Sequence, residues 1–260
     1  MNKLIFNEKI YIENLLQTHD KNMDITLFQL TQLIAIYYYQ EYGINDKEQL
    51  EKRVNAEIEC FHFDGYYYEL YYRTIRSVVQ SVLKYDLKLK ECYKIPIYQS
   101  EYEIIKGCGD KKHQKLLATL YVMARWSDND YGWTSSKCKL PHIKKSANLS
   151  MTNKDFYLMF HDLLVDGYIN NTKKVGKFCF QMLHYNTDKN EPVAFEIDSF
   201  DNIGNKFIAS QVDTHITCAL CGKLVKKTSP RMKYCPKCAK EMIKIKNNEL
   251  QKKKREKLRN

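Results

Sequence analysis

Two stretches near the C-terminal end, Cys218-Ala-Leu-Cys221-Gly222 and Cys235-Pro-Lys-Cys238, decide how that part of the chain folds. Each stretch is a C-x2-C pair, and 13 residues separate Cys221 from Cys235. Two such pairs supply the four sulfur ligands of a closed tetrahedral Zn²⁺ site. Because thiolates would fill all four positions, no position remains for a water nucleophile. We therefore predict a structural zinc in a small zinc ribbon, with Cys218, Cys221, Cys235 and Cys238 as its ligands.

Two neighbouring residues bear on this prediction. Gly222 directly follows the second cysteine, where such a knuckle needs the positive-φ bend that glycine adopts readily. His215 lies three residues before Cys218 and is a rival ligand. The alternative to a metal site is a set of four unrelated reduced thiols, which leaves the paired spacing unexplained.

The residues after Cys238 form a basic tail. They contain no Pro or Gly, so they can continue as a helix whose last turns are solvated. Residues 218–260 hold 15 Lys or Arg against 3 Asp or Glu, in a chain of 260 residues with net charge +11. This cationic arm would add a salt-dependent, sequence-independent term to nucleic-acid binding, with Lys252, Lys253, Lys254 and Arg255 as its candidate contacts. The alternative is a tail that only keeps the protein in solution.

Residues 111–186 carry a second basic excess, 12 Lys or Arg against 5 Asp or Glu. The segment starts with apolar residues at helical spacing, followed by a turn and a short strand. Pro141 then starts a short helix, and a second helix is predicted over 151–166 with a cap at Ser150 or Thr152. Two strands around a basic tip complete the segment. This is the order of a winged helix-turn-helix, and the alternative is an unrelated α+β core.

A helical wheel divides the second of these helices into two faces. The inner face, predicted to pack in the core, holds Phe156, Met159, Phe160 and Leu163. On duplex DNA, Asn153 would pair with adenine, and Lys154 and His161 would meet phosphate or guanine. The full set of candidate contacts is Lys144, Lys145, Asn153, Lys154, Tyr157, His161, Lys173, Lys174 and Lys177. Leu158 on the outer face favours docking to a protein instead, and this alternative stays open.

Residues 1–110 are predicted to form a helical, tyrosine-rich domain. Helices are expected at Asn7 to His19, Asp24 to Tyr42, Asp46 to Cys60 and Tyr66 to Tyr85, with caps at Asp24 and Asp46 and an end at Gly43. Fourteen of the 20 tyrosines lie here, yet the domain holds 13 Lys or Arg against 17 Asp or Glu. Because the domain is net acidic, core packing or a protein interface is favoured over a stacking platform for single strands.

Two connecting segments complete the predicted organisation. Ile95-Pro-Ile-Tyr98 is expected to be an extended link, after which Ser100 and Glu103 cap a further helix. Residues 187–217 hold 2 Lys or Arg against 6 Asp or Glu and are predicted to be an acidic linker. The fold class is thus mainly α, with a helical N-terminal part, a central α+β winged helix-turn-helix and a C-terminal four-cysteine zinc ribbon with a basic helical tail.

The sequence also argues against several classes of function. No run of 18 apolar residues occurs, and Glu8 interrupts the N-terminal stretch, so neither a membrane span nor a signal peptide is expected. We expect a protein of the bacterial cytosol whose remaining cysteines are buried thiols. Phosphate loops, G-x-G-x-x-G and H-E-x-x-H are absent, so no enzyme activity and no small-molecule substrate are predicted. His62-Phe-Asp64 is a single His near an Asp, which is usually incidental.

Two parts of the chain carry resemblances. The stretch Lys233-Tyr-Cys235-Pro-Lys-Cys238, running into a Lys/Arg tail, resembles the zinc-ribbon ends of small phage and mobile-element proteins of low-GC Gram-positive bacteria. Residues 116–183 resemble the winged-helix part of phage replication-initiation and primosome-loading proteins. Together these parts cover less than half of the chain. The resemblance implies a phage or mobile-element protein.

Two functional hypotheses follow. The first is a non-enzymatic, zinc-containing protein that binds duplex DNA as a transcription regulator or replication accessory. The second is a phage-encoded interaction protein that binds a host protein complex, such as a polymerase or anti-phage defence machinery, through residues 1–110.

Overall fold

The computed structural model describes residues 4–20, 25–63, 65–127, 132, 134, 138–171, 180–211 and 215–257. The chain divides into two compact units, Met1–Tyr93 (unit 1) and Lys94–Asn260 (unit 2). In the described residues the backbone forms ten helices and six short strands in antiparallel pairs, which confirms the predicted mainly helical class. Within these same ranges, no helix has both the length and the apolar composition needed to cross a bilayer.

Unit 1 is built from helices. They are α1 (Glu8–Thr18), α2 (Leu27–Tyr42), α3 (Lys47–Cys60) and α4 (Tyr68–Tyr85). The helices α2, α3 and α4 contact one another pairwise, and α1 packs on α2. Residues around most of the circumference of α2 are buried, including Leu30, Leu33, Ile34 and Ile36, so this helix lies at the centre of the unit.

Side-chain caps set where three of these helices begin. Asn7, Thr26 and Asp46 each accept a hydrogen bond from the backbone N–H three residues further on. The predicted cap at Asp46 is therefore confirmed, as is the helix end at Gly43, whose φ is 64°. Asp24, the other predicted cap, lies outside the described residues, and the N-cap of α2 is Thr26, whose Oγ1 accepts from the N–H of Gln29.

The tyrosines of unit 1 divide between core and surface. Tyr38 is buried, and its hydroxyl donates to Glu57 Oε1 at 2.6 Å. Burial, followed by this hydrogen bond, raises the pKa of Tyr38 to about 12, so the phenol stays a neutral donor. In contrast, Tyr67 at the start of α4 and Tyr68 and Tyr72 on it are exposed. The expected core packing therefore applies to Tyr38 and not to Tyr67, Tyr68 and Tyr72.

Unit 2 alternates helices with short strands. In chain order its elements are β1 (Ile95–Tyr98), α5 (Gln99–Gly107), α6 (Lys111–Trp126), α7 (Leu140–Ser146), α8 (Asn153–Val165), β2 (Ile169–Asn171), β3 (Phe180–Met182), β4 (Val193–Ile197), α9 (Ile203–Ser210), β5 (His215–Thr217), β6 (Leu224–Lys226) and α10 (Pro236–Lys257). The strands pair as β1 with β4, β2 with β3 and β5 with β6. Every residue of α6 from 116 to 124 is buried, which makes α6 the core helix.

Residues 187–217, predicted to be an acidic linker, instead contribute β4, α9 and β5 to unit 2. The strand β4 pairs with β1, with Ile197 opposite Ile95, so the predicted extended link is a strand of a sheet. The helix α9 packs on α6 and buries Ile203 and Phe207. These contacts also place the predicted boundary at residue 110 inside unit 2.

A buried ion pair fixes the junction of β1, α5 and α6. Glu101 is fully buried, and its Oε1 accepts from Arg125 Nη2 at 2.6 Å and from the N–H of Asn186 at 2.9 Å. The Arg125 guanidinium lies between two rings, 4.7 Å from the centroid of Tyr98 and 4.5 Å from that of Tyr185. Burial raises the pKa of Glu101, and the Arg125 charge opposes that rise. Both charges are thus paired and hydrogen-bonded, as buried charges require.

Glu101 also sets the start of α5. Its Oε2 accepts from the backbone N–H of Tyr98 at 3.1 Å, in the manner of a capping-box glutamate. The prediction that Ser100 and Glu103 cap this helix is therefore wrong. Ser100 instead donates, through both its N–H and its hydroxyl, to the carboxylate of Glu191.

The helices and the strand pair predicted for residues 111–186 are present in unit 2, whereas most of the turn and short strand predicted between the first two helices lies outside the described residues. After α6, α7 and α8, the strands β2 and β3 pair antiparallel. The strand β3 also bonds to the segment before α7: the N–H of Thr134 donates to Phe180 O at 3.0 Å, and that of Met182 to Gly132 O at 2.9 Å. Because N–H groups alternate in direction along a strand, Gly132 and Thr134 lie on the edge of β3 opposite β2.

Candidate metal centre and nucleic-acid interface

The four predicted metal ligands lie together. The Sγ atoms of Cys218, Cys221, Cys235 and Cys238 all lie within 4.8 Å of one another, and those of Cys221 and Cys235 are 3.8 Å apart. In a tetrahedral Zn²⁺ site with metal–sulfur distances of about 2.3 Å, neighbouring sulfurs are about 3.8 Å apart. The four-cysteine cluster is therefore confirmed and could hold a metal ion. The side chain of His215, the predicted rival ligand, lies outside the described part of the chain.

The first cysteine pair lies in the turn of a hairpin. The strands β5 and β6 pair with Thr217 opposite Leu224, and the N–H of Cys218 donates to Lys223 O at 2.9 Å. The N–H of Gly222 donates back to Cys218 O at 2.8 Å and closes the loop that contains both cysteines. Gly222 has a φ of 67°, so the expected positive-φ bend is present.

The second cysteine pair lies at the start of α10. Cys235 directly precedes the helix, Cys238 lies in its first turn, and the N–H of Cys238 points to Cys235 Sγ at 3.5 Å. The unpaired N–H groups and the dipole of a helix N-terminus favour negative charge and so favour thiolates. Val225 and Tyr234 pack against the cysteines and cover the cluster.

The backbone around Cys218 favours its thiolate form. Burial by itself raises the pKa of this thiol, but the N–H groups of Cys235, Cys221 and Leu220 outweigh burial and lower it to about 6. The neighbouring sulfur of Cys235, with burial, raises the pKa of Cys238. A cation bound by the four sulfurs would displace the protons that these thiols carry.

The helix α9 anchors the first knuckle, a contact that the sequence pattern did not reveal. Nδ2 of Asn205, which is 2% exposed, donates to Gly222 O at 2.7 Å. A Cβ added to Gly222 would lie 1.9 Å from Nδ2 of Asn202, so space as well as φ requires glycine here. The cluster is thus joined to the packed part of unit 2.

The predicted DNA-contacting residues of α8 lie at its surface. Phe156, Met159, Phe160 and Leu163 are buried, which confirms the predicted inner face. The predicted contacts Asn153, Lys154, Tyr157 and His161 are exposed, as are Leu158, Val165 and the two acidic residues Asp155 and Asp162. Thr152 caps the helix, its Oγ1 accepting from the N–H of Asp155 at 3.1 Å. The outer face of α8 is therefore available to a partner.

The two lysines of α7 differ in exposure and in hydrogen bonding. Lys145 is exposed, whereas Lys144 is half-buried and its Nζ donates to Met151 O and, at 3.2 Å, to Asn153 Oδ1. Lys144 therefore bridges the turn between α7 and α8 and orients the Asn153 amide. An ammonium has three donors, so one remains for a phosphate.

The helix α8 itself carries little positive charge. The helix itself holds Lys154 against Asp155 and Asp162. Asp162 is engaged by His113 Nε2 at 3.3 Å, and Asp110 contacts the other ring nitrogen at 2.9 Å, which ties α8 to the start of α6. The outer face of α8 is therefore polar and in part apolar, and it is not strongly cationic.

The remaining predicted contacts fall where the structure is not described. Lys173, Lys174 and Lys177 lie outside the described residues, between β2 and β3. The backbone of α10 is described to Lys257, but nothing is described of the side chains of Lys252, Lys253, Lys254 and Arg255. Comparison of the chain with models of protein families, with curated proteins and with solved structures finds no match.

Proposed function

We propose that the chain is a zinc-containing, non-enzymatic protein that binds duplex DNA, as a transcription regulator or replication accessory of a phage or mobile element. The observation that carries this proposal is the pair α7 and α8, joined by a tight turn, with an exposed outer face that holds an amide, a lysine, a tyrosine and a histidine. In a helix-turn-helix protein, the second helix of such a pair enters the major groove.

The strands around α8 support a winged-helix assignment. Gly132 and Thr134 lie along one edge of β3, and β2 lies along the other. A short strand after the first helix and a hairpin after the recognition helix are the arrangement that a winged helix requires. Residues 172–179, between β2 and β3, would then be the wing, and they carry Lys173, Lys174 and Lys177.

The exposed side chains of α8 match the chemistry of a base pair edge. The Asn153 amide can bond adenine in two places, and Lys154 and His161 can donate to guanine or phosphate. Tyr157 and Leu158, each 53% exposed, would meet thymine methyl groups or sugars. Lys145 would hold a phosphate beside them.

Zn²⁺ is the ion that four closely spaced thiolates favour. Bound there, it would supply a structural cross-link between the β5–β6 hairpin and the start of α10. The helix α10 makes few contacts with other elements in the described residues, and most of its described side chains are exposed. We infer that the cross-link aims this basic helix outward, where it can follow a DNA backbone.

The second candidate function is docking to a host protein complex through unit 1. The start of α4 carries a patch of exposed apolar and aromatic side chains, namely Tyr67, Tyr68, Leu70 and Tyr72, and Leu70 is 72% exposed. Aromatic residues are enriched at protein interfaces. This patch would serve such a partner.

Binding to a labelled duplex of mixed sequence, followed by fluorescence anisotropy, tests the DNA-binding proposal. The combined variant Lys154→Ala, Tyr157→Ala and His161→Ala should bind at least roughly tenfold more weakly, because each lost base or phosphate contact costs about 1–3 kcal/mol. These side chains are exposed, so the variant should keep its fold.

The matched control is Lys84→Ala, Tyr85→Ala and Lys88→Ala, three exposed residues of unit 1. It removes similar side chains and should bind like the unmodified protein. No affinity for duplex DNA at low salt, together with nuclease-resistant capture of a host protein by unit 1 surfaces, would reject DNA binding in favour of the second function.

A further inference from the structure

A second group of metal-ligating side chains lies in unit 1. A ring nitrogen of His19, a carboxylate oxygen of Glu57 and Sγ of Cys60 lie within 4.8 Å of one another. His19 is the residue that ends α1, while Glu57 and Cys60 lie about one turn apart at the end of α3. Two helices thus bring together a nitrogen, an oxygen and a sulfur donor that are far apart in the sequence.

The carboxylate of Glu57 is held in a fixed orientation. Its Oε1 accepts from the Tyr38 hydroxyl at 2.6 Å and from Arg53 at 2.7 Å. Its Oε2 faces His19 Nε2 at 3.4 Å. Carboxylates that bind metals are commonly fixed in this way by hydrogen bonds to the oxygen that does not bind. Oε2, which shares a hydrogen bond with His19 Nε2, is therefore the oxygen that a cation between the two groups would bind.

The His19 ring is positioned by both backbone and packing. The residue has a φ of 45°, in the left-handed region that glycine occupies most easily at a helix end. Its N–H donates to Leu15 O at 2.8 Å, and its ring lies edge-on against Phe61 at 5.1 Å between centroids. Glycine would be less strained at this position, but the histidine present there directs its imidazole toward Glu57.

We propose that His19, Glu57 and Cys60 form a second metal site, for a borderline divalent cation of the Zn²⁺ or Co²⁺ type. Nitrogen, carboxylate oxygen and thiolate are the donors that Zn²⁺ accepts, and three protein ligands leave a fourth position open. Glu57 is 8% exposed while Cys60 is at the surface, so the open position faces solvent. The Cys60 thiol, which donates to Ala56 O at 3.3 Å, gives up its proton to the solvent when the cation binds.

This site binds more weakly than the four-cysteine cluster. It has one thiolate in place of four, and the guanidinium of Arg53 offsets the charge of Glu57. The proposal does not depend on DNA binding, because it rests on unit 1 alone. It gives the N-terminal unit a cation site with an exchangeable fourth ligand.

Equilibrium dialysis of the full-length protein against Zn²⁺, with metal analysis, tests the proposal. The unmodified protein should bind two equivalents of Zn²⁺. A chelator should remove the Zn²⁺ of the unit 1 site before that of the four-cysteine cluster. Cys60→Ser and His19→Ala should each lower the affinity for the second Zn²⁺ equivalent at least roughly tenfold. The affinity for the first equivalent should stay unchanged. With Co²⁺ as the probe, Cys60→Ser should remove only the thiolate-to-cobalt absorption of the second equivalent.

His62→Ala is the matched control, because His62 is an exposed histidine two residues from Cys60 and outside the cluster. It should keep both equivalents. A single equivalent in the unmodified protein would overturn the proposal, as would a second equivalent that survives Cys60→Ser. Cys60 is exposed, so its serine variant should fold and decide the matter even if His19→Ala does not fold.

Discussion

The side-chain amide of Asn205 donates to the carbonyl oxygen of Gly222 at 2.7 Å, and so joins helix α9 to the knuckle that carries Cys218 and Cys221. Asn205 is 2% exposed, which shields this bond from water. Because α9 packs on the core helix α6, the metal centre and the helical part of unit 2 are coupled through this bond. An ion that ordered the knuckle would therefore also support the contact with α9.

Asn205→Ala should destabilise unit 2 by about 1–3 kcal/mol, because it leaves the buried Gly222 carbonyl without its donor. The loss should be seen as a lower urea midpoint, measured with saturating Zn²⁺. The metal ligands are untouched, so the metal stoichiometry should not change. Asn190→Ala at an exposed position is the control, and an equal loss in both variants would contradict the proposed coupling.

Gly222→Ala should weaken metal binding at the four-cysteine cluster. The substitution adds a left-handed backbone cost of about 1–2 kcal/mol, and its Cβ would collide with Asn202. Competition with a chelator measures the affinity, which should fall at least roughly tenfold, the equivalent of about 1.4 kcal/mol. Gly43→Ala is a matched control, since its φ is 64° but no atom lies within 4 Å of the new Cβ. Gly43→Ala should leave the metal affinity unchanged.

The stability of unit 2 should fall in acid partly through Asp110. Its Oδ1 caps α6, and the backbone N–H of His113, followed by the His113 ring, holds the pKa of Asp110 below its usual value. A carboxyl with a lowered pKa stabilises the fold above its unfolded pKa of about 3.9 and loses that effect as the pH falls through the folded value. Asp110→Asn keeps a capping oxygen, so it should matter little at pH 7.

Urea midpoints taken between neutral and strongly acid pH measure this effect. The urea midpoint should fall less steeply with decreasing pH in Asp110→Asn than in the unmodified protein. The control is Asp201→Asn at an exposed position, which should leave the decline as it was. Identical slopes for Asp110→Asn and the unmodified chain would show that the cap does not titrate as argued.

Patterns local in sequence predicted the fold best. The paired spacing of Cys218 and Cys221 sufficed for the four-cysteine cluster. Helical periodicity sufficed to predict the buried face of α8. The capping residue Asp46 sufficed to predict where α3 begins. For α8 and the Asp46 cap the determining contacts lie within one or two turns, and for the cluster each pair of ligands lies within three residues, so the sequence carries these signals directly.

Contacts between distant residues could not be predicted. The pairing of Ile95 with Ile197 joins segments that each have a weak strand pattern alone. The acidic composition of residues 187–217 hid α9, whose apolar face is buried mainly against α6, a helix far away in the sequence. Likewise, the cluster of His19 and Glu57 forms because two helices meet, and no spacing in the sequence marks it.

The basic tail should account for part of the salt dependence of DNA binding. Replacing Lys252, Lys253, Lys254 and Arg255 by Gln keeps the length of α10 and removes four charges. If all four meet phosphates, the slope of log K against log salt should shrink by up to about 3.6. Anisotropy titrations from low to moderate salt measure the slope. Lys84→Gln with Lys88→Gln on unit 1 is the control, and an unchanged slope in the tail variant would mean that the tail only aids solubility.

The basic tip between β2 and β3 should hold the DNA backbone. Replacing Lys173, Lys174 and Lys177 together by Ala should weaken duplex binding, because up to three phosphate contacts are lost and the salt slope falls by up to about 2.7. The loss should be similar for duplexes of different sequence, since phosphate contacts carry no base information. By contrast, Asn153→Ala should weaken binding only to duplexes that place an adenine opposite residue 153. Full affinity of the triple variant at low salt would remove the wing from the DNA interface and leave α8 and α10 as its remaining elements.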